Sequence, residues 1–194
     1  NIPLAIIING SQDAIIKDFG NKVCPGTILS LFHEPNGDWT SWGGTVGDNT
    51  PAKVVAAYQH IHDVLGNKVK YAWVINNSDV PNRTGNRPAD YWPGAAYVDI
   101  VGEDGFACNN STSFLQAMQP NFSILKQFAV THGKPFWITS FGAGPTNQGP
   151  WITDAIAQAK LKGIGALIYF NHDDTNINGA LFKMSPTALD AFHL

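Results

Sequence analysis

Apolar residues along the chain gather into short, β-branched runs, each of which stops abruptly at polar or aromatic residues. Six such runs stand out, at Pro3–Ile8, Thr27–Phe32, Val69–Ile75, Tyr97–Gly102, Pro135–Thr139 and Ile164–Phe170. Runs of this length without polar alternation predict strands buried on both faces. Helical patterns fill the intervals. Gly10-Ser11 turns the chain into a short helix from Gln12 to Phe19. Thr50-Pro51 opens a helix whose apolar residues Val54, Val55, Tyr58, Ile61 and Leu65 keep helical spacing, and Gly66-Asn67 closes it. A helix from Ser113 to Met118 breaks at Pro120 and resumes from Asn121 to about Thr131. Trp151–Lys162 forms another, and Ser185-Pro186 starts a last short one.

Strands that alternate with helices predict an α/β fold with a parallel sheet and helices outside. The pattern counts six βα units in one domain over residues 1–194, two units short of a closed (β/α)8 barrel of TIM type. In such folds, chemistry sits at the C-terminal strand ends. Those ends read His33/Glu34, Asn76/Asn77, Glu103/Asp104/Phe106, Ser140/Phe141 and Asn171/His172. No Gly-rich dinucleotide or phosphate loop follows any of the runs, so nothing supports nucleotide binding.

The richest end is Phe32-His33-Glu34-Pro35-Asn36-Gly37-Asp38-Trp39-Thr40-Ser41-Trp42-Gly43. A lone Glu at a strand end is ordinarily a solvated terminus. This stretch is too polar for core and too aromatic for a plain loop. A carboxyl beside indole rings suits a sugar-cleaving site, because rings stack on sugar faces and an apolar wall raises a carboxyl pKa.

Composition narrows the class. The 194 residues are 44% hydrophobic and only 14% charged, with a net charge of -3 and no basic block. That argues against nucleic acid or anionic membrane as a main partner. Six Trp in a chain of low charge fit an extracellular protein that handles neutral polymers. No apolar run approaches the ~20 residues of a membrane span. Asn1-Ile2-Pro3 does not resemble a signal peptide, so secretion implies a signal removed ahead of this numbering. Sequons at Asn76, Asn82, Asn109, Asn110 and Asn121 are what chance supplies in an Asn-rich chain. Cys24 precedes one strand and Cys108 follows another, at opposite ends of a parallel sheet, so two free thiols are expected. His60 and His62, two apart on a helix, point apart and make a poor metal pair.

His33-Glu34-Pro35-Asn36-Gly37-x-Trp39-x-x-Trp42-Gly43 resembles the His-Glu-Met-Asn-Gly-x-Trp motif of glycoside hydrolase family 26. Tyr91-Trp92-Pro93-Gly94-x-x-Tyr97-Val98-Asp99-Ile100-Val101-Gly102-x-Asp104-Gly105 is similar to that family's Tyr-Tyr-Pro-Gly to Gly-x-Asp-Gly-Tyr segment. Lys134-Pro135 to Ser140-Phe141-Gly142 resembles its Lys-Pro to Glu-Phe-Gly segment. The resemblance implies a clan A (β/α)8 barrel, mostly β-1,4-mannanases with some β-glucanases and xylanases, here spanning barrel strands 3 to 8. It implies an oligo- or polysaccharide partner, mannan first, and no cofactor or metal. Glu34 takes the general acid/base position at the end of barrel strand 4. Trp39 and Trp42 take stacking positions. His33, Asn36, Asn76, Tyr91, Trp92, Asp104, Phe106, Phe170 and Asn171 complete the expected substrate-binding set.

Two departures matter. Phe106 stands where the family has a Tyr that hydrogen-bonds the nucleophile, and Ser140 stands at the nucleophilic Glu itself. Retaining glycosidases need two carboxyls ~5–5.5 Å apart. A serine is too short to replace one, and too weakly acidic without a base beside it. Losing a covalent nucleophile costs on the order of 10⁴–10⁶ in rate. The expectation is an impaired retaining endo-β-glycosidase; the alternative is a non-catalytic carbohydrate-binding pseudoenzyme. Strands 1 and 2 of the barrel are missing from the match, which would leave open edges; either the chain is a fragment, or another segment or subunit completes it, or the early units are lost. Lesser readings are Glu103 as a substitute nucleophile, and a metal held by His33 with His172, Asp173 and Asp174. Tyr91, Trp92 and Tyr97 form either a stacking platform or loop core. Asn76 or Asn77 either meets a sugar hydroxyl or makes a turn.

Overall fold

The computed structural model describes residues 3–108, 112–144, 146–174 and 180–192. The sequons at Asn109 and Asn110 fall outside them. The chain opens with helices α1 (Leu4–Ile8) and α2 (Asp13–Lys22), then strand β1 (Ile28–Ser30) and helix α3 (Pro51–Leu65). There follow β2 (Lys70–Asn76), β3 (Ile100–Ala107), α4 (Phe114–Ala117), α5 (Phe122–His132), β4 (Phe136–Ala143), α6 (Gln148–Lys162) and β5 (Ala166–Tyr169). A two-stranded antiparallel ribbon, β6 (Asp173–Asp174) with β7 (Ala180–Leu181), precedes α7 (Pro186–Phe192).

β1 to β5 pair in chain order, every pair parallel, and curl into a half-barrel. The parallel α/β architecture is therefore as expected, but with five strands in the curled sheet. The run expected as the first strand is helix α1 instead. Five apolar residues are too few for their period to separate strand from helix. A strand also needs a neighbouring ladder, whereas a helix satisfies its own backbone. As a helix, the run puts Leu4 and Ile7 on one buried face against α3.

Local signals act where they were read. Thr50 caps α3 by accepting from the Lys53 N–H at 3.2 Å, and Gly66 ends that helix at φ 60°. Pro120 separates α4 from α5. His60 pairs with Asp13 at 2.6 Å while His62 lies against the Tyr71 and Tyr97 rings, so the two do diverge. Both cysteines are exposed and free. Among the described residues no helix is long and apolar enough to cross a membrane.

The sheet has two apolar faces. Tyr71, Trp73, Ile75, Val101, Ile138 and Phe141 pack outward against the helices, and Ala72, Val74 and Ile100 face inward with Trp137. Trp73 and Trp137 are thus packing residues. Among the described residues the two edges stay bare, with Ile28 on β1 44% exposed and Ile168 on β5 48% exposed.

Ile138 is fully buried at the centre of the outer face. Ile138→Ala is expected to cost about 2–5 kcal/mol from lost burial and the cavity left behind. The denaturant midpoint should drop at unchanged slope.

Candidate active site

Past β1 the backbone makes a strained turn. Phe32 and Glu34 both sit in the left-handed region, at φ 49° and 52°, where a non-glycine residue costs on the order of 1–3 kcal/mol. The turn is tied down at several points. The Glu34 N–H donates to the Val74 carbonyl at 3.2 Å, and the Trp42 indole donates to the His33 carbonyl at 2.8 Å. The Gly44 N–H donates to the Pro35 carbonyl at 2.8 Å. Gly37 is needed for contact as well, because a Cβ there would lie 2.3 Å from the Trp39 ring.

This turn carries the Glu34 carboxyl across the end of β2. Oε1 accepts from Asn76 Nδ2 at 2.7 Å and Oε2 accepts from Trp39 Nε1 at 2.9 Å. Glu34 is 8% exposed, whereas the Trp39 ring is 50% exposed. Beside it, His33 Nε2 lies 2.8 Å from Asp104 Oδ2 on the inner face of β3. Thr139 donates to Asp104 Oδ1 at 2.6 Å.

Burial pushes the Glu34 carboxyl above its ordinary range, and the nearby Asp104 charge adds to this. The donors Asn76 and Trp39 and the His33 ring pull the other way without reversing it. Burial works against a charged His33, but Asp104, by hydrogen bonding and charge, and Glu34 together hold its pKa above 6.5. A carboxyl whose pKa is raised and which is aimed by two N–H donors is suited to give its proton to a leaving group.

β4 brings Ser140 opposite Asp104 in register, across a β-bulge that makes room for Thr139. Among the described residues the Ser140 hydroxyl makes no hydrogen bond, so no base activates it. Phe106 packs against Phe170 and Phe182, with ring centroids 5.7 and 5.0 Å away, and the three form an apolar wall at the ends of β3 and β5.

Several expected contacts lie elsewhere. Asn36 is fully buried and its amide is spent on the protein, so it does not face a ligand. Tyr91 is 2% exposed and donates its hydroxyl to Asn86, which makes it loop core. Trp92 stacks on His132 and packs on Trp73 and Phe128, on the helix side of the sheet and away from Glu34. Tyr97 is also on that side, against His62. No stacking platform forms from these rings. Asn77 donates to the Ala117 carbonyl. Asn171 is exposed and accepts from the Met184 N–H at 2.8 Å. Glu103 cannot serve as nucleophile. Successive strand residues point to opposite faces, so with Asp104 inward Glu103 points to the helices, fully buried. Both its oxygens lack a partner among the described residues, and burial holds its pKa well above the ordinary range.

Of the expected metal set, Asp173 accepts from the Lys183 N–H and does not join His33 among the described residues, and the Asp174 side chain lies outside them. His33, Glu34 and Asp104 do converge, with ligand atoms within 4.8 Å of one another. Their donors are already committed, Glu34 to two N–H groups and His33 to Asp104, so an acid and an ion pair describe them better than a ligand set.

Asp79, Asn86, Asn121 and Thr139 were absent from the expected set, yet all brace the site. Each is a common polar residue in a loop, a helix start or a strand, and carries no sequence signal of its own.

A family model described as glycosyl hydrolase family 26 matches residues 8–134. The chain is similar to a mannan endo-1,4-beta-mannosidase of Bacillus subtilis, 25% identical over an alignment of 140 residues that covers 68% of this chain and 34% of that protein. In fold it is similar to a β-mannanase from Bacteroides ovatus, with a TM-score of 0.72 and 17% identity over 96% of this chain and 55% of that one. An endo-β-1,4-mannanase from Cellulomonas fimi gives 0.68 and 21% over 95% and 45%. The chain thus spans about a third of the curated relative and about half of each solved structure.

Both raised pKa values mean that the folded state holds protons more tightly than the unfolded one. Stability from each is present at acid pH and fades as pH rises through the folded pKa. Asp104→Asn removes the larger of the charges that raise His33 and leaves the burial that lowers it, so the His33 pKa should fall. The imidazole resonance measures this directly. The stability lost in the variant should be present below pH 6.5 and shrink as pH rises through the wild-type His33 titration.

Proposed function

The chain belongs to glycosyl hydrolase family 26, and from that membership we propose that it carries the site of a retaining endo-β-glycosidase acting on β-mannan, with catalysis impaired at Ser140. The observation that supports this most is the Glu34 carboxyl, buried, raised in pKa and gripped by Asn76 and Trp39 at the end of a parallel strand. Glu34 takes the role of general acid/base. Trp39 offers a half-exposed ring for a sugar face. The relatives named as mannanases support mannan ahead of β-glucan or xylan.

The covalent step is the missing one. In a retaining mechanism a second carboxylate attacks the anomeric carbon while the first protonates the leaving oxygen. Ser140 has no carboxylate and, among the described residues, no hydrogen-bonded base. The site so read binds a β-linked chain with Glu34 placed to protonate the glycosidic oxygen as that bond breaks, but Ser140 forms no glycosyl-enzyme intermediate. The second reading, a carbohydrate-binding pseudoenzyme, draws on Phe106, which packs among phenylalanines where a nucleophile's hydroxyl partner would be needed. Further βα units, from another segment or subunit, complete the barrel along the bare edges at Ile28 and Ile168. The low charge and six tryptophans support an extracellular setting.

Ser140→Glu decides between the readings. Under the impaired-enzyme reading the variant releases reducing sugar from β-mannan, with a gain on the order of 10⁴-fold over the serine form. Azide or formate should partly rescue the serine form. A Ser140→Glu variant silent on mannan, β-glucan and xylan alike would leave the pseudoenzyme reading standing.

A further inference from the structure

Behind the Glu34 turn lies a buried polar network centred on a carboxylate that the acid/base chemistry does not use. Asp79 is 6% exposed. Its Oδ1 accepts from Asn36 Nδ2 and from Asn121 Nδ2, both at 2.9 Å, and its Oδ2 accepts from Arg87 Nη1 at 3.0 Å. We infer that Asp79 is a positioning residue: through Asn36 and Asn121 it locks the peptide groups of Asn76 and thereby fixes the amide that holds the Glu34 carboxyl. This deepens the reading of Glu34 as acid/base and rests on it.

Donor and acceptor chemistry sets the orientation of each amide. An ionised carboxylate only accepts, so both asparagine amides must turn their NH₂ groups toward Asp79. That choice leaves the Asn36 oxygen facing the Asn76 N–H, which donates to it at 2.9 Å. The same two NH₂ groups reach the Asn76 carbonyl, at 3.1 Å from Asn36 and 2.9 Å from Asn121. Asn76 is therefore held at both its N–H and its C=O. Its side chain has its own orientation lock, because Oδ1 accepts from the Ser78 N–H at 3.0 Å and from Ser78 Oγ at 3.2 Å. Only Nδ2 is left for Glu34 Oε1, at 2.7 Å. Asn36 Nδ2 also donates to the Ser78 carbonyl at 3.1 Å, so an amide at position 79 would leave the carbonyl acceptors in place but remove the one charged acceptor shared by Asn36 and Asn121, loosening their hold on Asn76.

The charged groups facing Glu34 are His33, from its own turn, and Asp104, from β3; Asn76 faces it from β2 and Trp39 from the loop. Removing Asp79's negative charge would, by charge alone, lower the Glu34 pKa. Loosening Asn76 weakens a donor to the carboxylate form and raises it. The two effects have opposite sign, and that separates positioning from a simple field effect.

Trp39 provides the readout, since its indole N–H donates directly to Glu34 Oε2. The Trp39 indole resonance is followed against pH in ¹⁵N-labelled protein, with the His33 imidazole followed alongside to tell the two titrations apart. Asn76→Ala calibrates the full loss of the donor. Asp79→Asn is expected to raise the Trp39 midpoint by roughly half a pH unit or more. A midpoint that falls or stays put in a well-folded variant overturns the inference. Where Asp79→Asn does not fold, the charge-neutral Asn121→Ala decides, with a smaller rise expected and an unchanged midpoint overturning. No substrate is involved, so a failure of Ser140→Glu to cleave mannan leaves this result intact, and the reverse also holds.

Discussion

A carboxyl taken almost out of water sets the terms for the rest of this molecule. Glu34 is buried at the end of a strand, on a residue whose backbone is itself strained. Neither condition is stable alone. Burial is offset by two aimed N–H donors, and the strained turn is pinned by backbone and indole hydrogen bonds from β2 and the tryptophan loop. Each of these partners then needs its own support, so polar order spreads backward from one side chain into the Asn36–Asp79–Asn121 network. Buried polar networks stay ordered when every member is satisfied, and this one extends over the loop as far as Asn86 and Tyr91.

The readable part of the sequence was the part governed by local rules. The α3 helix, with Thr50 before it and Gly66 after it, follows capping chemistry. The α4–α5 break follows from Pro120 lacking a backbone donor. Glu34 could be picked out because a Glu among tryptophans at the end of an apolar run is chemically odd. The failures share a cause, which is that partners were invisible. Leu4–Ile8 had a strand's composition but no ladder to join. Trp92 and Tyr91 looked like a sugar platform because aromatics in a loop carry no label for the face they meet, and the outward face of β2 took them. In sequence, a buried amide such as Asn36 and a ligand-facing amide read the same. Asp79 carries no signal in sequence because its significance lies in three donors drawn from different segments.

The half-barrel places nearly all of this machinery on the ends of β1, β2, β3 and β4. The acid follows β1, its amide donor ends β2, the ion pair and its Thr139 support join β3 to β4, and Ser140 sits across from Asp104. β1 is short, at three residues, and among the described residues it is an edge strand, so the strand that leads into Glu34 has a neighbour on only one side there. The backbone bond from the Glu34 N–H to Val74 lies on that one supported side. The geometry of the acid is thus inherited from β2 more than from the strand that carries it.

The half-exposed indole of Trp39 is both a flat apolar face and the donor to Glu34. A sugar ring stacked on that face would shut water away from the N–H to carboxylate bond and remove its competitor. Occupancy of the ring and strength of the acid are then linked quantities. Whatever pKa change a ligand imposes on Glu34, the protonation state of Glu34 returns to the ligand as an equal change in affinity. A glycan resting on Trp39 would therefore be held with a pH-dependent grip, whether or not the chain ever breaks its bond.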